Sequence, residues 1–378
     1  MSEAESAPLR VRTRRDYPVR FLVDLGQRNA VFLKRRWTPL RRIFYWADAF
    51  AVLPERDYDI VHSINAVPIL SRRPYVLTYE DYLPRVPEDR YVGWLERRLQ
   101  RALLSERCVA LIAMSEFGRR QFRWQNRSFD GRDELEAKMQ LVYPAIGLRR
   151  ERPKRPSGRM KLLFVGTRFM GKAGPAVLRA HSRLRDAGLP VETTVVSSLE
   201  WTPDDYLGPP SHEYVESEVA RLSQEGVVHH RSLRNDEVFR LMEEADWFVF
   251  PTLQDTFGYA SLEALACGTP VLATDTCAQP EIVDASCGYL LPFENDEHVG
   301  KWSWLYRADD PEFMDAYEAT IASLTDAIVD RLTAAFEAGA DAYEAMSAGA
   351  LQRVRTRFDR EAARDRLEQL YELCRERL

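Results

Sequence analysis

Short apolar runs rich in β-branched residues alternate along this chain with longer stretches of helical period, the pattern of parallel strands wrapped by helices. In the first part the strand candidates are 18 to 23 (PVRFLV), 59 to 64 (DIVHSI), 74 to 78 (PYVLT) and 109 to 114 (VALIAM). In the second they are 161 to 166 (KLLFVG), 192 to 197 (ETTVVS), 246 to 250 (DWFVF) and 271 to 274 (VLAT). Between the two sets the basic, proline-bearing stretch Arg149 to Arg159 breaks the apolar pattern and predicts an interdomain linker. Residues 312 to 378 have helical spacing and no strand run, so helices close the chain. The class is α/β: two Rossmann-like domains, at 1–152 and 153–355, with a last helix at 356–378 crossing back to the first.

Residues 246 to 274 (DWFVFPTLQDTFGYASLEALACGTPVLAT) resolve into strand, loop, helix and strand, with Gly258 opening the helix, Gly268 closing it and Pro270 preventing its continuation. In open α/β sheets ligands bind beyond the carboxyl ends of strands, and the free N–H groups of a helix start attract phosphate. The loop from Thr252 to Gly258 is therefore an expected anion site. Two carboxylates flank it, Asp255 in the loop and Glu263 about 7 to 8 Å down the helix axis. Each is a double acceptor suited to paired sugar hydroxyls. The competing reading is that Asp255 caps the helix and Glu263 is merely solvated.

Composition narrows the class. Hydrophobic residues at 45% and charged ones at 29% describe a chain that folds rather than a disordered one. The five cysteines are scattered without a CxxC pair, so no disulfide framework or zinc site is expected, and a cytoplasmic setting fits. The first fifteen residues lack the apolar core of a secretory signal, and no run of 18 apolar residues predicts a membrane span. Charge is divided unevenly: residues 1 to 159 carry a net +12 and the rest −17, within a total of −5. The segment Arg10 to Arg42, with eleven basic residues, two Asp and interleaved aromatics, predicts contact with an anionic membrane surface, unless it docks the acidic half. Nothing points to nucleic acid. Asp57 and Asp59 form a D-x-D before a strand, where turn-making is the simpler reading than metal binding.

With Pro251, Asp255, Phe257-Gly258, Glu263-Ala264, Ala266, Gly268, Pro270-Val271 and Pro280-Glu281-Ile282-Val283, the segment resembles the retaining family 4 glycosyltransferases of the GT-B fold, whose signature is E-x7-E. The resemblance is strong over 236 to 292, fair from 159 to 187 and weak over most of the first 150. It implies two Rossmann-like domains facing a cleft, a UDP- or GDP-sugar donor, no metal, and a glycan, lipid-linked or small-molecule acceptor. It further implies that Glu263 holds the donor ribose, while Asp255, Thr256, Phe257 and Gly258 meet sugar and phosphates. Arg168 and Lys172, in the loop of FVGTRFMGKAGPAVLRA, would neutralise the leaving diphosphate, with Ala173 where a glycine is usual. His230, followed by Arg231, would lie near the base. On the acceptor side VLTYEDYLP is similar to T-x-H-D-x-x-P, with Glu80 in place of the histidine and Asp81 retained. His62, Ser115, Glu116 and Gly26 match further cleft positions. A nucleotide-sugar epimerase and an inactive partner subunit are the alternatives, the second motivated by Glu80 and Asp255.

Overall fold

A computed structural model describes residues 7–13, 21–22, 25–27, 29–34, 57–85, 93–202, 207–209, 211–296 and 299–378. The chain forms two compact units, one of Met1–Ala145 with Phe358–Leu378 and one of Ile146–Arg357. The first unit is a six-stranded, wholly parallel sheet in the order β2-β1-β3-β4-β5-β6, made of β1 (Leu9–Thr13), β2 (Ala30–Lys34), β3 (Ile60–Ile64), β4 (Tyr75–Tyr79), β5 (Cys108–Ala113) and β6 (Met139–Leu141). On one side lie α1 (Gly93–Leu104), α2 (Glu116–Gln125) and α3 (Arg132–Ala137), with Leu95, Leu99, Leu103, Phe122 and Leu135 packing against Val61, Leu77 and Leu111. On the other side α10 (Arg360–Arg375) buries Leu367, Leu370, Tyr371 and Cys374 against Val11, Ile60, Val76 and Ile112.

The second unit repeats the plan in the order β12-β11-β10-β7-β8-β9, again all parallel. Its strands are β7 (Met160–Val165), β8 (Val191–Val196), β9 (Val227–His230), β10 (Trp247–Phe250), β11 (Val271–Thr274) and β12 (Gly288–Leu291). Its helices are α4 (Gly174–Asp186), α5 (His212–Ala220), α6 (Asn235–Glu244), α7 (Tyr259–Ala266), α8 (Gln279–Ile282) and α9 (Phe313–Arg357), the last broken at Gly339, φ +81°. The central strands β10 and β11 are buried on both faces, which is why they read as unbroken apolar runs.

Arg149 to Arg159 falls inside the second unit rather than between units, because Lys154 is only 5% exposed. Its ammonium donates to the carbonyls of Ala245 and Met242, at the end of α6, and to Thr269 Oγ1 at 3.0 Å. Burial pulls its pKa down to about 8. A basic, proline-bearing sequence suggested a solvated linker, but hydrogen-bond acceptors at a helix C-terminus let one cation be buried. The candidate strand at 18 to 23 lies mostly outside the described residues; Phe21 and Leu22 are buried in a turn, and the strand that opens the sheet is β1. Most of Arg10 to Arg42 also lies outside the described residues. All five cysteines are free and buried. No described helix is long and apolar enough to cross a membrane.

Candidate active site

In the second sheet the strand order reverses between β7 and β10: β8 and β9 continue to one side, β11 and β12 to the other. All strands run the same way, so the loops after β7 (166–173) and after β10 (251–258) leave the same edge, side by side, at the switch point where such sheets open a crevice. The two loops meet through Lys172, whose Nζ donates to Asp255 Oδ2 and to the carbonyl of Gln254, each at 2.7 Å. The same ammonium lies 5.3 Å from the centre of the Phe250 ring. The pair is mostly buried, with 16% of the lysine and 26% of the aspartate side chain exposed. Arg168 shares the loop and is half-buried, its carbonyl accepting the Lys172 N–H. Ala173, at the glycine-favoured position, adopts the left-handed conformation with φ +49° as the N-cap of α4.

Asp255 does not cap α7, contrary to the bland sequence reading, because its carboxylate is taken by Lys172. The N-cap is Gly258 at φ +95°, ψ +53°, with no side-chain capping bond. The first intrahelical donors are Ser261 and Leu262, both to the Gly258 carbonyl. The N–H groups ahead of them form the helix's positive end, facing the loop edge. Only a glycine fits there: a Cβ would lie 1.9 Å from Gln279 Nε2. Gln279 in turn donates to the Phe257 carbonyl and accepts from Ser261 Oγ at 2.9 Å, so α8 sets how α7 begins. From α9, Arg353 fixes α8 by donating to the Glu281 and Ile282 carbonyls and pairing with Asp284 at 2.7 Å. Glu281 stands in the first turn of α8, as Pro280 suggested.

Glu263 is within α7 and 5% exposed, so it is not a solvated surface carboxylate. Phe257 is buried against Tyr259, while Thr256 beside Asp255 is half-buried. His230 ends β9, the edge strand, two strands from β7 and so roughly 10 Å from it. His230 is half-buried and Arg231 exposed, and His229 Nε2 bonds the Ser197 carbonyl at 2.9 Å. Sequence reading passed over two residues here. Gln254 is 8% exposed, and its Oε1 has no partner among the described residues. Gln279 was visible only as the residue before Pro280.

In the first unit the structure sorts the expected residues differently. His62 is 1% exposed in the middle of β3, with Nδ1 2.7 Å from Tyr371 OH and Nε2 2.7 Å from Thr78 Oγ1. Burial lowers its pKa to about 3. Both nitrogens are engaged inside the unit, so His62 is a core histidine joining β3, β4 and α10 rather than a cleft residue. Ser115 is the N-cap of α2, accepting from Gly118 N–H at 2.9 Å, and Glu116 pairs with Arg119. Glu80 and Asp81 follow β4 and grip one guanidinium, Arg85, at 2.7 and 3.0 Å. Asn65, at φ +56° after β3, accepts the Glu80 N–H. Gly26 lies between β1 and β2 at φ +84°. Asp57 and Asp59 are held by Arg12 and Arg10 of β1.

Residues 159–303 match the model of the family described as glycosyl transferases group 1. A D-inositol 3-phosphate glycosyltransferase of Arthrobacter sp. (strain FB24) is 33% identical over 164 residues, 41% of this chain and 36% of that protein. The lipopolysaccharide glucosyltransferase WaaG of Escherichia coli (strain K12) is 39% identical over 80 residues, 20% of this chain and 21% of its own length. The matches thus span 36% and 21% of the length of these two curated relatives. A crystal structure of Anabaena HepE in complex with UDP and glucose superposes with a TM-score of 0.58, covering 96% of this chain and 99% of that one at 14% identity. The fold is therefore that of the GT-B glycosyltransferases.

Proposed function

We propose that the chain is a glycosyltransferase that moves a sugar from a UDP- or GDP-sugar to a hydroxyl of a glycan, lipid-linked or small-molecule acceptor, with retention at the anomeric carbon. The observation that carries this reading is the meeting of Lys172, Asp255 and the N-terminal end of α7 at the switch point of the second sheet, with Glu263 buried one turn further on. In the proposed reaction the bond from the anomeric carbon to the phosphate oxygen breaks and one to the acceptor oxygen forms. The acceptor proton passes to the leaving phosphate on the same face. Lys172 and Arg168, with the amides before α7, stabilise the charge that develops on the diphosphate. Lys172 would exchange its carboxylate partner for phosphate, which frees Asp255 for the sugar hydroxyls. Glu263 receives the ribose, and no protein nucleophile or divalent metal is required. Glu80 and Asp81 belong to the acceptor side in this reading, oriented by Arg85. The names of the relatives and of the UDP-bound neighbour favour a nucleotide-sugar donor.

The test is incubation with UDP-, GDP- and ADP-sugars, with and without crude lipid and glycan acceptors. Acceptor-dependent nucleotide release supports the assignment. A new nucleotide-sugar isomer would replace it with an epimerase, and binding without turnover with an inactive subunit.

A further inference from the structure

The outer faces of α1 and α2 carry a pattern that the donor chemistry does not use. In α1, Leu95, Leu99 and Leu103 point into the core at four-residue spacing, and this turns Trp94, Arg97, Arg98 and Arg101 outward. In α2, burial of Phe117, Gly118, Gln121 and Phe122 turns Arg120, Arg123 and Trp124 outward in the same way, and Arg127, just past the helix, is exposed beside them. The helices are neighbours: Gln125 donates to Glu96, and Gln100 to Asn126 at 2.9 Å. Together the outer sides of these adjoining segments carry six arginines and two tryptophans. The surface is fixed in place, because the Lys138 ammonium caps α1 on the carbonyls of Leu103, Leu104 and Ser105.

The acids of these two helices are already engaged, Glu96 by Gln125 and Glu116 by Arg119, and Glu136 of α3 pairs with Arg123. Arg97, Arg98 and Arg101 have no ion-pair partner among the described residues. Exposed Asp133 and Glu134 on α3 bound the basic area where α3 packs on α1. Trp94 is 66% exposed, an unusual setting for an indole, and Trp124 lies under the Arg127 guanidinium at 4.1 Å.

We propose that this α1–α2 surface docks the protein on an anionic phospholipid bilayer. Arginines gain from the negative surface potential of such a leaflet, and a tryptophan with one apolar and one polar edge is placed best at headgroup depth. Trp94, 66% exposed among the arginines of α1, supplies the apolar edge that a headgroup layer takes up, which favours a lipid partner. The proposal stands independently of the donor site.

The full chain is sedimented with vesicles of phosphatidylcholine alone and of phosphatidylcholine mixed with phosphatidylglycerol, at low and high salt. Wild type should pellet with the mixed vesicles only, and less at high salt. Replacing Arg97, Arg98 and Arg101 together by Gln should lower partitioning at least about ten-fold, since each basic residue near the surface contributes several-fold. Trp94→Ala should lower it by a smaller factor. These side chains are exposed, so both variants should keep the wild-type circular dichroism and melting temperature. Equal pelleting with both lipids, unchanged binding of the triple variant, or retention of single-stranded RNA without vesicle binding would each overturn the proposal.

Discussion

Lys172 and Asp255 illustrate how one contact can describe both a resting site and a working one. Facing each other at 2.7 Å, each neutralises the other's charge where neither is fully solvated. A diphosphate that displaces the carboxylate gives Lys172 a partner whose charge grows along the reaction. Lys172→Ala should therefore reduce kcat much more than it raises the donor KM, as steady-state kinetics would show. Glu263 is a different case, because its proposed ribose contact is equal in ground and transition states. Glu263→Gln leaves one acceptor oxygen where there were two and should weaken donor binding by about 1 to 3 kcal/mol in calorimetric titration. His62 tests the structural assignment. Its folded pKa of about 3 lies below the ordinary value of 6.5, so its contribution to stability is complete above 6.5 and is lost as pH falls towards 3. Between pH 7 and pH 5 this amounts to at most about 2 kcal/mol. In His62→Gln the fall in melting temperature over that interval should shrink.

At the scale of elements, the start of α7 is decided by its neighbour α8. Gly258→Ala would force a methyl to within 1.9 Å of the Gln279 amide and strain a backbone at φ +95°. The expected loss is about 2 to 4 kcal/mol, measured by urea unfolding. Because Gln279→Ala removes the overlap as well as its own buried bonds, the double variant should lose less than the sum of the two single variants. The strands missed in the sequence follow the same logic of neighbours. β2, β6, β9 and β12 are the four sheet edges, each with a single partner strand. With less of their surface buried they need no long apolar run, and so gave no signal. β1 was hidden for another reason: its Arg10 and Arg12 are admitted into a strand by Asp59 and Asp57.

For the whole molecule, the proposed division of labour predicts turnover without a divalent ion. Activity that survives chelation by EDTA, and is not raised by adding Mg or Mn, is the expected result. Dependence on the added ion would transfer charge neutralisation from Lys172, Arg168 and the α7 amides to a metal. The uneven charge along the chain acquires a structural meaning as well. Part of the excess of basic residues in the first unit is gathered on the outer faces of α1 and α2, whereas Arg10, Arg12 and Arg85 are spent on internal acids.

The sequence alone determined the α/β class, the central strands of both sheets apart from β1, and the β10–α7–β11 unit, because buried parallel strands demand continuous apolar runs and a tight helix demands glycines at both ends. It also determined the glycosyltransferase signature, since that is a matter of residue types at fixed offsets along one loop and helix. Tertiary structure decided which polar groups meet. Thr78 and Tyr371, far from His62 in sequence, made it a core residue, and Lys172 holds Asp255 away from the helix that the competing reading had it cap. Periodicity reports which face of an element is buried. It carries no information on which side chain from a distant element will fill the space opposite.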